Sequence, residues 1–205
     1  VAAYTGGVDG DPSQATTSGF FIPNSITYSL PTEGMGGMTA SLMYAFGGTP
    51  GDSGSNRFMA GNVGYTTGDL NIVAAVSDRD AQYQQYLVGG SIPMGLFKIA
   101  ANYVHFKPEL GNSSNTWTVG AQMKALPNTN VGLNYARNDS TGHPSVINLS
   151  AVYSLSKTTN LYAAFNRGTD AAPSSYSGWV DGSANATLAQ SGSSNALILG
   201  LQKGF

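Results

Sequence analysis

The stretch Ser194 to Phe205 reads SNALILGLQKGF. Leu197, Leu199 and Leu201 alternate with Ile198, Gly200 and Gln202, and the segment stops on Phe205. Successive side chains of a strand point to opposite faces, so this spacing gathers the three leucines on one face. The other face is mostly small or polar. A strand written this way suits a wall with hydrocarbon on one side and water on the other, as in a transmembrane barrel.

Working outward, composition narrows the class. Of 205 residues, 41% are hydrophobic but only 10% are charged, with 27 Gly, 11 Tyr, no Cys and a net charge of -2. Soluble domains carry roughly 25% charged residues. No apolar run reaches the ~18 residues of a membrane helix. Two classes remain: a membrane barrel, whose apolar residues are diluted by alternation, and a secreted Gly/Ser/Thr-rich β-sandwich of adhesin or lectin type. Near-neutral charge excludes the basic stripe of a nucleic-acid binder. The absence of Cys excludes a disulfide scaffold.

No helical period of useful length occurs. Short alternating segments follow one another instead, the clearest being Phe97, Ile99, Ala101 and Tyr103 against Lys98, Ala100 and Asn102. Trp117, Val119, Ala121 and Met123 likewise oppose Thr118, Gln122 and Lys124. With the closing segment this predicts about eleven strands of roughly 9–11 residues, the length that spans a bilayer when tilted. The connections alternate in character. Tight ones (Pro31 to Gly37, Thr66 to Asp69, Pro93 to Gly95, Pro127 to Thr129, Ser156 to Thr159) are separated by mostly longer polar ones (Gly47 to Asn56, Lys107 to Ser114, Asn138 to Pro144, Gly168 to Gly192). Ser77 to Gln82 is shorter but charged. Short turns at one end and long loops at the other are the habit of outer-membrane barrels. Aromatics also gather near strand ends, as interfacial girdles require.

Parity adds an expectation about extent. Bacterial barrels have an even strand number. An odd count, and Val rather than Met at position 1, predict the C-terminal part of a larger barrel. The alternative is that Val1 to Thr5 is itself a strand, in a complete barrel of about twelve.

The chain resembles the trimeric general porins of Gram-negative bacteria. NSITYSLPTEGMGGMTASLMYAFGG (Asn24 to Gly48) resembles that family's strand, tight turn and strand after its constriction loop, and ALILGLQKGF resembles its closing strand. A terminal Phe also resembles the C-terminal signature of outer-membrane proteins. The resemblance implies an all-β, antiparallel up-and-down transmembrane barrel of sixteen strands, of which this chain holds about the last eleven. It implies that residues 1–24 supply the distal half of the constriction loop and residues 25–205 the barrel strands. It further implies a homotrimer in the outer membrane. Where that family carries an arginine shortly before the Asn-Ser pair, this chain has Phe20, Phe21, Ile22 and Pro23.

The candidate functional residues follow from face and position. Lys98, Lys124, Asn102, Gln122, Asn134 and Asn148 lie on the hydrophilic parity and are expected to line the channel, the two lysines biasing it toward anions. The alternative is that both lysines are merely hydrated. Asp9 and Asp11 are constriction-loop candidates; weak calcium binding is the less favoured reading, since an oxygen cage needs about six or more ligands. Asp78 and Asp80, flanking Arg79, are expected in a solvated outer loop. Arg57, Arg137 and Arg167 share the outward parity at the outer strand ends, where a planar fork could meet lipopolysaccharide phosphates or simply water. Lys203 faces lipid near the opposite end, where it can snorkel.

Enzyme signatures are missing: His105 and His143 are the sole histidines, and Gly34 to Gly37 precedes a strand rather than a helix. The expected function is passive diffusion of small hydrophilic solutes and ions, without cofactor, metal or nucleic acid. The rivals are the secreted adhesin or lectin and a smaller, side-chain-filled barrel acting as an anchor.

Overall fold

The computed structural model describes residues 24–31, 33–48, 50–169 and 193–204. Eleven strands form one sheet: β1 (Ser25–Ser29), β2 (Met38–Ala45), β3 (Phe58–Thr67), β4 (Leu70–Arg79), β5 (Tyr83–Met94), β6 (Phe97–Pro108), β7 (Ser114–Leu126), β8 (Thr129–Asn138), β9 (Ser145–Ser154), β10 (Thr159–Thr169) and β11 (Ser194–Lys203). Each pairs antiparallel with its sequence neighbours, in an uninterrupted meander from β1 to β11. The expected strand number and up-and-down order are both observed. Among the described residues β1 and β11 pair on one side only.

The turns explain the register. Between β3 and β4, and between β5 and β6, only two residues connect the strands, and the first of each, Gly68 (φ 56°) and Gly95 (φ 63°), has positive φ. Glycine at the first central position is what a type II′ hairpin turn asks for, and its twist matches the flanking strands. The connections at that end are residues 30–37, 68–69, 95–96, 127–128 and 155–158. At the other end lie residues 80–82, 109–113 and 139–144, and there β2 ends and β3 begins, and β10 ends and β11 begins. The β4–β5 connection is thus as tight as the turns opposite, and Asp78 and Arg79 belong to β4 rather than to an outer loop.

Direct cross-strand partners share a face, so the pairing builds rows across the sheet. One row reads Ile99, Ala121, Leu133, Leu149, Phe165, Leu197. One residue along each strand, on the opposite face, another reads Ala100, Gly120, Asn134, Asn148, Asn166, Ala196. Every exposed large apolar side chain within the strands stands on the first face, from Ile26 and Leu42 to Leu199, which is 72% exposed. Every buried residue, polar or apolar, stands on the second. Ile147 and Phe97, at 43% and 46%, are likewise outward and open. This inverts a soluble protein, where exposed apolar patches rarely exceed a few hundred Å². A secreted sandwich would place these side chains between two sheets.

One position departs from simple alternation. Lys124 pairs with Asn130 but Leu126 pairs with Thr129, so Ala125 is an extra residue in β7. This bulge turns Leu126 onto the apolar face beside Thr129 and Tyr153, where it is 62% exposed.

Candidate functional site

The hydrophilic face of the sheet is the candidate site. Lys98 on β6 opposes Gln122 on β7, and Gln122 opposes Gly132 on β8. Lys124 lies one inward step nearer the short-turn end, opposite Asn130. Both lysines are exposed. Asn102 faces the same way opposite Thr118, and its Oδ1 is buried without a hydrogen-bond partner among the described residues. Asn134 and Asn148 are direct neighbours on β8 and β9. The structure therefore brings all six expected wall residues onto one face, on four adjacent strands.

Two wall residues were not anticipated. Asn166 continues the asparagine row on β10, accepts a hydrogen bond from Asn148 Nδ2 and is fully buried, with its own Nδ2 unpaired among the described residues. Arg79 stands on the inner face between Phe58 and Tyr83, and its Nε and the Tyr83 hydroxyl are both buried and unpaired among the described residues. Parity inside β4 gives the reason: in Asp78-Arg79-Asp80 the arginine points in and the aspartates point out. That signal was present in the sequence, but it becomes readable only once β4 is known to run through Arg79.

The electrostatics of this face follow. Asp78 is the one carboxylate inside a described strand, and it points outward beside Met59. Arg79, Lys98 and Lys124 point inward. Among the described strand residues the inner wall therefore carries cations and no carboxylate. It is not uniformly hydrophilic, however. Phe58, Val73, Leu87 and Val104 face inward on β3 to β6 and are 4–9% exposed.

The outward cations divide into two kinds. Arg57 is held by its own chain: Nη2 lies 3.4 Å from Asp78 Oδ2 and Nη1 3.2 Å from Asp80 Oδ1. Arg137 and Arg167 are exposed at the outer ends of β8 and β10, and no described carboxylate pairs with them. Asp9 and Asp11 lie outside the described residues. Among the described residues no cluster of three or more His, Asp or Glu could hold a metal.

Two loop carboxylates are tied down. Asp139 accepts from the Asn115 backbone N–H at 2.6 Å and from Asn115 Nδ2 at 2.5 Å, which holds its carboxyl below the ordinary aspartate range. Asp52 is lowered in the same direction, first by the Ser55 hydroxyl and then by the Gly54 and Ser55 N–H groups.

Against this geometry, known proteins are informative. A family model described as Gram-negative porin matches residues 2–172. An anion-selective porin from Comamonas acidovorans has a TM-score of 0.67 at 22% identity, over 88% of this chain and 59% of its own. The trimer form of in-vitro folded OmpT, an outer-membrane protein of Vibrio cholerae, gives 0.62 at 16%, over 87% and 64%. Salmonella typhi OmpF, in complex with daunomycin, gives 0.61 at 14%, over 87% and 61%. No curated protein sequence matches. The chain thus spans about three fifths of the Comamonas porin, and these likenesses establish a common fold. With a family model covering most of its length, and an antiparallel sheet that turns its apolar side chains outward, the chain belongs to the Gram-negative porin family.

Proposed function

We propose that this chain forms most of the wall of a water-filled outer-membrane channel, through which small hydrophilic solutes and ions diffuse passively. The observation that carries the reading is the separation of faces. Exposed large apolar side chains within the strands lie on one side only, and most of the strand amides, serines and threonines lie on the other. Hydrocarbon can cover the first face at no cost in unpaired polar groups, because the strand ladders satisfy the backbone. The second face suits water and passing solutes.

The wall favours anions. Arg79, Lys98 and Lys124 face the lumen, and no described strand carboxylate opposes them. A cation near the path lowers an anion's energy by about 1 kcal/mol at 4 Å even in water. The chemistry asks for no cofactor and no covalent step. Assembly as a homotrimer is supported by the trimer form of the Vibrio cholerae neighbour. Lipid and lipopolysaccharide are the expected surroundings of the apolar face, with Arg137 and Arg167 the outward cations available to phosphates. Asp9 and Asp11 are retained as proposed constriction residues.

The test is single-channel recording of the intact protein in planar bilayers. Ohmic steps whose zero-current potential in a salt gradient reports anion preference are the expected result. A protein that inserts but never conducts would sink the reading in favour of a filled anchor.

A further inference from the structure

The outward face of β5 to β8 is not evenly filled. Gly90 and Ala101 are direct cross-strand partners, and the row continues through Val119 to Tyr135. Where neighbouring rows carry long side chains, this pair leaves an open groove of about 610 Å³ walled by Val88, Tyr103, Trp117, Val119 and Tyr135. That falls in the size range of small-molecule sites, roughly 300–1,000 Å³. The depression is set by the backbone as well: a Cβ on Gly90 would lie 2.7 Å from the Asn71 carbonyl oxygen. The floor therefore cannot be filled at Gly90 without moving β4.

The outer end of the groove is held in place. Tyr103 and Trp117 pack with ring centroids 4.2 Å apart. The Tyr103 hydroxyl donates to Asn115 Oδ1 at 2.5 Å, His105 Nδ1 donates to the same oxygen at 2.7 Å, and Asn115 is itself anchored on Asp139. Arg137 stands directly across from Trp117 on β8 and is exposed. Asp139, two residues further along, already accepts two hydrogen bonds from Asn115. Lys107 is exposed on the same face. Arg57, with two aspartates of its own, shows what a committed rim arginine looks like.

We propose that this groove binds one acyl chain of a phosphate-bearing membrane lipid, with Arg137 holding the phosphate. An apolar trough ending at an uncommitted guanidinium matches an anionic amphiphile in both halves, and the planar fork suits phosphate oxygens. A second copy of the chain fits less well. A self-complementary contact would bring the Arg137 and Lys107 sites of two subunits together without carboxylates to pair them, which is costly once buried. The head-to-tail contact of a trimer would have to bring carboxylates to this face, whereas the one carboxylate within a described strand, Asp78, is already paired with Arg57. The proposal rests on the outer-membrane reading above.

Trp117 is a built-in reporter, and the chain has only one other tryptophan, Trp179. The intact protein carrying Trp179→Phe, with any tryptophan outside these 205 residues likewise replaced by Phe, is placed in phosphatidylcholine vesicles containing small fractions of phosphatidylglycerol with brominated acyl chains. Phosphatidylglycerol should quench Trp117 with about tenfold preference over equally brominated phosphatidylcholine, the contribution of one hydrogen bond to a charged group. Ala101→Phe, on an exposed position, should remove the preference by filling the trough. Arg137→Gln should bring phosphatidylglycerol down to the phosphatidylcholine level, with conductance unchanged in both variants. Equal quenching by the two lipids in the parent, or a preference that survives both substitutions, overturns the proposal. Quenching seen only after oligomers are dissociated overturns it too, in favour of a subunit contact. Absence of quenching in every state condemns the membrane reading itself, whereas lost conductance with the preference intact condemns only the channel reading.

Discussion

On β3 to β6 the inner face carries Phe58, Val73, Leu87 and Val104, all withdrawn from water, whereas on β7 to β9 the same face carries Gln122, Lys124, Asn134 and Asn148, all at least partly open. Both stretches alternate, both belong to one sheet, and both turn large apolar side chains outward. They differ in what the inner side chains do. In the first, apolar groups are buried and contribute stability. In the second, amides and Lys124 stay near water, as Lys98 does on β6. Alternation therefore assigns a side chain to a face, but not to a job.

The difference can be broken at its strongest point. Phe58→Ala should cost about 3–5 kcal/mol, as for large-to-small changes at buried aromatic sites. Asn134→Ala, in the open half, should cost about 1 kcal/mol or less, a typical net hydrogen bond. Urea unfolding of the folded protein in vesicles compares them, and equal costs would erase the distinction between the two halves.

The outward face supplies the next test. Leu133→Lys, in the middle of β8, should destabilise by about 2–4 kcal/mol, the penalty for a lysine at the bilayer midplane. Thr118→Lys, on the inner face of β7, should be tolerated to within about 0.5 kcal/mol. A reversed ranking would put lipid on the wrong side of the sheet.

Selectivity is a smaller quantity. Replacing Lys98 and Lys124 together by Glu should move the zero-current potential toward cations, by about fivefold in permeability ratio per site if each contributes about 1 kcal/mol. Conductance steps should persist, because neither side chain supports the fold. An unchanged potential would return both lysines to simple hydration and leave Arg79 as the residue to substitute next.

The smallest effect concerns the loops. The carboxyl of Asp139 titrates below its ordinary value of 3.8 because Asn115 donates to its charged form. A depressed folded value means the tie is fully present above the ordinary carboxylate range and is lost as pH falls through the folded value. Hydrogen-exchange protection of the Asn115 amide, relative to Asp139→Asn, should therefore be large at neutral pH and be lost only in acid below the ordinary aspartate value of 3.8, as pH falls through the lower folded value. Protection that Asp139→Asn retains at neutral pH would show that the ladder alone holds this end of β7.

Several of these features were legible before any coordinates. The strand number, the face of Lys98 and Asn102, and the outward parity of Arg137 all follow from a period of two. Arg79 shows where that reading fails. Its face was implicit in the same period, but a charged triplet beside a loop looks like part of the loop until the β4–β5 turn is seen to be only three residues long. Leu126 fails for a different reason, since a single bulge reverses parity without any strong residue signature. That Gly90 and Ala101 are small and outward follows from the same period, but that they meet to open a groove depends on register between β5 and β6, and a one-residue slip would have scattered it.

What the amino-acid order determined by itself is the two-sidedness of this protein. Side chains must alternate across a strand, so leucines at every second position commit one face to an apolar medium. What only the tertiary structure decided is which residues meet across strands: the asparagine row through Asn134, Asn148 and Asn166, the clamp of Asp78 and Asp80 on Arg57, and the apolar half of the inner wall. Those depend on register and on what lies opposite, and neither is encoded in any one strand.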